Sequence, residues 1–141
     1  MAKSTGLAWT TLNVGDSSNA STDIRNDVTS LNFSTPRGVQ DVTGLDKSAI
    51  ERLLTLADFS ITLGGVFNPA TSHVVFATVP SSAVNRMVAI TTNGKNLNLG
   101  SAGASNGAVL FTDYQVSRAQ TGELTWSAPG VLGNGSIPTW S

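Results

Sequence analysis

The chain has 141 residues, room for a single domain spanning 1–141, with 40% hydrophobic and only 12% charged side chains. Eight Lys and Arg against nine Asp and Glu leave a net charge of −1 without a basic cluster, which disfavours tight nucleic-acid binding, and cysteine is absent, which removes disulfides, thiolate metal sites and cysteine nucleophiles together. No segment approaches the roughly 20 apolar residues of a membrane span, and "MAKSTGLAW" has no apolar run of signal-peptide length, so a soluble protein is expected, with a weakly charged surface of the kind that other protein often covers.

Period-two alternation recurs from the start. "GLAWTTLNV" predicts a strand with Leu7 and Trp9 on one face and Ala8, Thr10 and Leu12 on the other. "GDSSNAST" at 15–22 reads as a flexible loop tip, and "DVTSLNF" as a strand with Leu31 and Phe33 on one face, ended by Pro36. Residues 34–47 lack periodicity and read as a long loop, the sort that carries contacts. A helix is predicted over 48–55: Ser48 and Glu51 match a capping box, and Ala49, Ile50, Leu53 and Leu54 share an apolar stripe. At two turns it would need a sheet to lie on.

"ADFSITLGGVF" alternates again, with Phe59, Ile61 and Leu63 inward until Gly64-Gly65 permits a bulge. "NPATSHVVFATVP" is open between a short helical turn begun by Thr71 or Ser72 and a strand, with the turn favoured. Asn93-Gly94 between "NRMVAITT" and "KNLNLGS" predicts a type I′ hairpin, and "AVLFTDYQVSR" with "GELTWSAPGVL" a second hairpin around 119–122. The tail "GNGSIPTWS" carries Pro138 and Trp140, an aromatic expected to dock somewhere. The fold class expected is mainly β, a sandwich or barrel with one short helix packed on a sheet.

Catalytic and metal chemistry find no constellation in the sequence. His73 is the only histidine, with no Gly-x-Ser-x-Gly elbow, and reads as structural. Asp23 and Asp27 are expected to face water or pair with Arg25 or Arg37, and "GSAGASNG" lacks the Lys of a phosphate loop. Asn19, Asn32 and Asn134 lie in chance Asn-x-Ser sequons. Trp9, Trp126 and Trp140 could make a sugar platform, though core or interface roles are commoner. No enzyme, cofactor or metal is expected.

The segments "DVTGLDKSAIERLL" and "DFSITLGGVFNP", then "ATSHVVF" and the closing "GELTWSAPGVLGNGSIPTW", closely resemble the major tail tube proteins of long, non-contractile-tailed bacteriophages, particularly those of actinobacteria. That resemblance implies subunits in hexameric rings, stacked into a hollow tube through which DNA passes without specific binding. It also implies tape measure, tail terminator and baseplate proteins as further partners, and a place in the virion tail after assembly in the host cytoplasm. Candidate inter-subunit contacts are Pro36, Arg37, Val39, Asp41 and Asp46 in the loop, and Pro138 and Trp140 in the tail. Alternatives are a carbohydrate-binding β-sandwich, or a head-decoration or tail-terminator protein.

Overall fold

Alternation along residues 59–63 organises the interior: Phe59, Ile61 and Leu63 are buried at 2% exposure or less, while Thr62 is exposed. The computed structural model describes residues 9–141, so Leu7 and Ala8 lie outside the described residues. The strands are β1 (Trp9–Gly15), β2 (Ser21–Asp23), β3 (Val28–Ser34), β4 (Arg37–Asp41), β5 (Arg52–Ala57), β6 (Ser60–Val66), β7 (Val88–Thr92), β8 (Lys95–Leu99), β9 (Val109–Phe111), β10 (Gln115–Arg118) and β11 (Leu124–Leu132). Among the described residues one α-helix, α1, spans Ser72–Phe76, and a 3-10 turn spans Arg25–Asp27.

Two antiparallel sheets share one core. The first has the order β2-β1-β7-β8; the second has the order β10-β11-β6-β3, with β9 also pairing β11, beyond β10 along the same strand. Leu12, Val14, Val88, Ile90 and Leu97 of the first sheet pack against Ile61, Leu63, Val109, Trp126 and Ala128 of the second. An Arg86↔Val109 bridge closes the sandwich on one side, which gives it partial barrel character. A third, two-stranded sheet, β4-β5, stands outside this core.

The turn chemistry read from sequence is present. Asn93 (φ 49°) and Gly94 (φ 77°) join β7 to β8, both with the positive φ of a type I′ turn. The β10–β11 hairpin closes through Ala119 N–H to the Glu123 carbonyl. Opposite Gly64-Gly65 the register shifts between Val28 and Ser30, so the bulge sits on β3, and a side chain at 65 would strike the Asp27 carbonyl. A second shift, between Trp9 and Thr11, corrects the expected faces of β1: Trp9 packs on the core together with Leu12 rather than opposite it.

Three expectations are overturned. No helix occupies 48–55. Residues 52–54 pair instead with 39–41 (Val39↔Leu54, Gln40↔Leu53, Asp41↔Arg52): a strand partner bonds the facing backbone groups along the ladder, and a two-turn helix without a sheet beneath it does not persist. The capping-box residue Glu51 is held by Thr43, whose hydroxyl accepts from the Glu51 N–H at 2.9 Å.

The loop at 15–22 is no flexible tip. Asn19 is fully buried at φ 58°; its amide donates to the carbonyls of Ser101 (2.9 Å) and Gly103 (2.6 Å) and accepts from Met87 N–H (2.7 Å), which also removes its sequon from solvent. Asp27, finally, neither faces water nor meets an arginine. Its buried carboxylate accepts from Asn68 Nδ2 (3.0 Å), the Ser72 N–H (3.2 Å) and the Thr71 hydroxyl, and so caps α1 from another segment of the chain.

That cap explains how a five-residue helix persists. Its far end is held by Arg86, a buried guanidinium that donates to the Val75 and Gly15 carbonyls and to Thr78 Oγ1. Phe76 then stacks between Phe111 (5.2 Å), Tyr114 (5.8 Å) and Trp126 (5.0 Å), which seals one end of the sandwich. A helix does plug the sheets, as expected, but it is α1 and not 48–55.

Candidate assembly surface

β3 and β6 form a ladder as far as Ser34↔Ser60, and their continuations β4 and β5 form another from Arg37↔Ala57. Residues 28–66 are therefore one long hairpin with a break at Pro36, whose carbonyl accepts from Asp58 N–H at 2.8 Å. Before the break, one face of the hairpin lies on the core. Beyond it, both faces are open, and the five residues of β4 alone carry the arm roughly 15 Å outward.

The arm's composition does not suit water. Val39, Val42, Leu45, Ile50, Leu53, Leu54 and Leu56 are between 41% and 109% exposed, half of the large exposed hydrophobic side chains of the described residues gathered between 37 and 57. They lie on both faces, since Val39 stands opposite Leu54 and Leu53 opposite Gln40. Apolar side chains gathered on an exposed two-stranded ribbon, which is marginal by itself, are the kind of surface that contacts between proteins use.

Five of the seven candidate contacts lie on this arm or at its root. Pro36 forms the break; Arg37 pairs with Ala57 and donates to the Thr55 carbonyl at 2.9 Å; Val39 faces solvent at 56% exposure. Asp41 accepts from the Thr43 hydroxyl at 2.6 Å and its N–H at 2.9 Å, and these bonds lower the Asp41 carboxyl below its ordinary value. Asp46 sits in the loop at the arm's tip, 3.9 Å from Lys47 Nζ. The signs along the arm are mixed: Asp46 and Glu51 are both within 4.0 Å of Lys47.

Pro138 and Trp140 lie elsewhere. The C-terminus runs along the open edge of β8, where Ser141 and Asn96 exchange backbone hydrogen bonds at 2.8 and 3.0 Å and Trp140 bridges Leu97. The Trp140 ring rests 6.0 Å from Phe33 while half of it stays exposed. Its first docking partner is thus its own chain. Sequence reasoning turned Leu53 and Leu54 inward on a helix and gave Leu56 no role. The signal was present: "LLTL" carries leucine at consecutive and alternate positions, so neither face of a strand built from it can be polar.

The other candidate chemistries disperse in space. His73 Nδ1 lies 3.2 Å from the Tyr114 hydroxyl and its ring 4.9 Å from Phe67, within an aromatic cluster rather than beside a nucleophile. Trp126 is buried and donates to the Val66 carbonyl at 3.0 Å, so the three indoles do not share one exposed platform.

No protein-family model and no curated protein matches the sequence. Solved structures do. A chain from the tail of an empty gene transfer agent (GTA) particle, refined as a helix with C6 symmetry, matches with a TM-score of 0.72 at 17% identity over 99% of both chains. A chain from the virion of a native GTA particle matches with a TM-score of 0.71 at 14% identity, again over 99% of both. Neither is a phage of actinobacteria, so that finer part of the resemblance has no counterpart here. At these identities the likeness is one of fold: the chain has the mainly β architecture of a phage-like tail component.

Proposed function

We propose that this chain is a structural tail protein that assembles with copies of itself into hexameric rings, stacked as a tube through which a genome leaves the particle. The observation that carries the reading is the arm. Seven large apolar side chains stand outside the core on a ribbon that no second layer covers among the described residues. Another copy is the partner that fits, because heterologous contacts between identical subunits close into rings or propagate as filaments. The GTA tail chain of the same fold, in a C6 helical assembly, supports six copies per ring. The arm prolongs β3 and β6 beyond the end of their sheet, so it reaches out of its own ring toward the next. Tape measure, terminator and baseplate proteins would complete such a tail, built in the host cytoplasm and carried in the virion. The chain's role is architectural, with no catalytic step.

The test removes the arm. Ser34 and Ser60 are direct ladder partners, so joining 34 to 60 through Asn-Gly gives a hairpin without β4 and β5. Negative-stain microscopy should show tubes or stacked rings from the full chain, and only dispersed particles with an unchanged β spectrum from the shortened one. Tubes of equal length and yield from both would refute the arm's role.

A further inference from the structure

We propose that Asn134 is a site of self-modification: the backbone nitrogen of Gly135 attacks the Asn134 side-chain amide, and water opens the resulting ring to a carboxylate. The reaction needs only this chain and water, and it stands apart from the tube reading.

The sequence contains three Asn-Gly pairs, at 93–94, 106–107 and 134–135. Glycine after asparagine is the least hindered arrangement for such an attack, because no Cβ shields the nitrogen. By sequence the three pairs rank alike; the fold separates them.

Asn93 and Gly94 hold the type I′ turn, at φ 49° and 77°, between the paired residues Thr92 and Lys95. Closing a five-membered ring between the Asn93 side chain and the Gly94 nitrogen would swing the Asn93 carbonyl out of that turn and break the pairing. Asn106 is pinned more tightly. Its Nδ2 donates to the Ala102 carbonyl at 3.1 Å, its N–H to the Gly103 carbonyl at 3.1 Å, and its carbonyl accepts from Ser101 N–H at 2.9 Å. Gly107 beside it is buried, and a Cβ there would fall 2.1 Å from the Asn85 carbonyl oxygen, so neither the swing nor the water has room.

At the third pair nothing stands in the way. Asn134, Gly135 and Ser136 are all exposed, and Gly135, at φ 75°, would have nothing within 4 Å of an added Cβ. Among the described residues, the Gly135 N–H and Asn134 Nδ2 have no hydrogen-bond partner. The one bond that the Asn134 side chain makes assists the reaction: Ser136 N–H donates to Oδ1 at 3.0 Å. This Asx turn folds the amide over the Gly135 peptide and aims a backbone donor at the oxygen on which negative charge develops.

The atoms balance without a redox step. Solvent base takes the Gly135 amide proton, the nitrogen bonds to Asn134 Cγ, and the oxyanion formed at Oδ1 rests against Ser136 N–H. The Cγ–Nδ2 bond then breaks and ammonia leaves with a proton from water. Water next adds to one of the two ring carbonyls. Addition at Cγ breaks the new bond and leaves aspartate; addition at the main-chain carbonyl breaks the original peptide bond and leaves isoaspartate, with the chain rerouted through the side chain. Either product adds one carboxylate, taking the formal net charge from −1 to −2. The change falls between β11 and the residues Trp140 and Ser141 that lie along β8, so it alters the charge and reach of that segment and leaves both core sheets intact.

The test is peptide mapping by mass spectrometry after incubating the full chain in mildly alkaline buffer, folded and in urea, with isoaspartyl methyltransferase labelling to identify the rerouted product. In the folded chain Asn134 should convert at least about tenfold faster than Asn93 or Asn106, which must first open locally. In urea the three rates should converge. Ser136→Pro, which removes the donor N–H, should slow conversion of folded Asn134 about two- to tenfold, the rate worth of one exposed hydrogen bond, while Ser136→Ala keeps the donor and the rate. In urea, Ser136→Pro and the parent should match. A folded chain in which Asn93 or Asn106 leads, in which the three ratios equal those in urea, or in which Asn134 does not convert at all overturns the proposal. An unchanged folded rate in Ser136→Pro overturns the part given to the Ser136 N–H.

Discussion

Leu53, Leu54 and Leu56 precede Phe59, Ile61 and Leu63 in one continuous hairpin, yet the first three are 57%, 61% and 86% exposed and the second three 2% or less. The chemistry of the two triplets is alike; what differs is the second layer. β6 lies beneath Val14, Val88 and Ile90 of the opposing sheet, whereas among the described residues β5 pairs only with β4 and no second layer covers it. Full burial of each such leucine is worth about 1.5–3 kcal/mol, so the arm holds several kcal/mol that its own fold leaves unused and a neighbouring copy can collect. The body is therefore self-sufficient and the arm is not.

The largest effect expected on this contrast comes from the body. Phe76→Ala removes the ring that seals the sandwich against Phe111, Tyr114 and Trp126, and should cost about 3–5 kcal/mol in urea unfolding of the armless monomer. Asn19→Ala comes next, at about 2–3 kcal/mol in the same assay, because it strands the Met87 N–H and the carbonyls of Ser101 and Gly103 and places alanine at positive φ.

Asp27→Asn should cost about 1–2 kcal/mol at neutral pH. Burial raises the Asp27 carboxyl, but hydrogen bonds from Thr71, Asn68 and Ser72 outweigh it and leave the group below its ordinary 3.8. The folded state thus prefers the ionised form. Its stabilisation is complete above 3.8 and fades as pH falls through the lower folded value, so the gap between wild type and Asp27→Asn should close on acidification below that point and stay constant above it. A gap that widened in acid would reverse the assignment.

The smallest effect on the monomer, and the sharpest on assembly, is expected in the arm. Leu53→Ser, Leu54→Ser and Leu56→Ser together should shift monomer stability by less than about 0.5 kcal/mol, since these side chains touch water already. The same variant should raise the concentration needed for tube formation at least tenfold. A large loss of monomer stability would mean that the arm packs on its own body.

How much of this was written in the sequence varies by residue. β6, the Asn93-Gly94 turn and the β10–β11 hairpin were legible because period-two alternation and turn chemistry are local signals. The buried roles of Asn19, Asp27 and Arg86 were not: their partners lie between eight and 84 positions away along the chain, and a short polar run such as "GDSSNAST" looks the same whether mobile or pinned. The helix expected at 48–55 failed for a related reason. A capping box and an apolar stripe are helix signals only if the stripe has something to lie on, and here the segment finds a strand partner first. Residues 34–47, read as a long loop, instead hold strand β4 over Arg37–Asp41, because pairing partners in 52–57 lie beyond any local pattern, and Leu53 and Leu54 were assigned to a helix face where they stand open on β5.

The most direct measurement is amide hydrogen exchange at Val39, Leu53 and Leu54, compared between dispersed protein and assembled tubes, with Ile61 and Leu63 as internal reference. A two-stranded ribbon in water opens readily, so the arm amides should exchange within minutes in the dispersed state and slow at least about a hundredfold on assembly, while the reference amides stay slow in both. Arm amides that exchange equally fast in both states would contradict the claim that copies of this chain cover the arm.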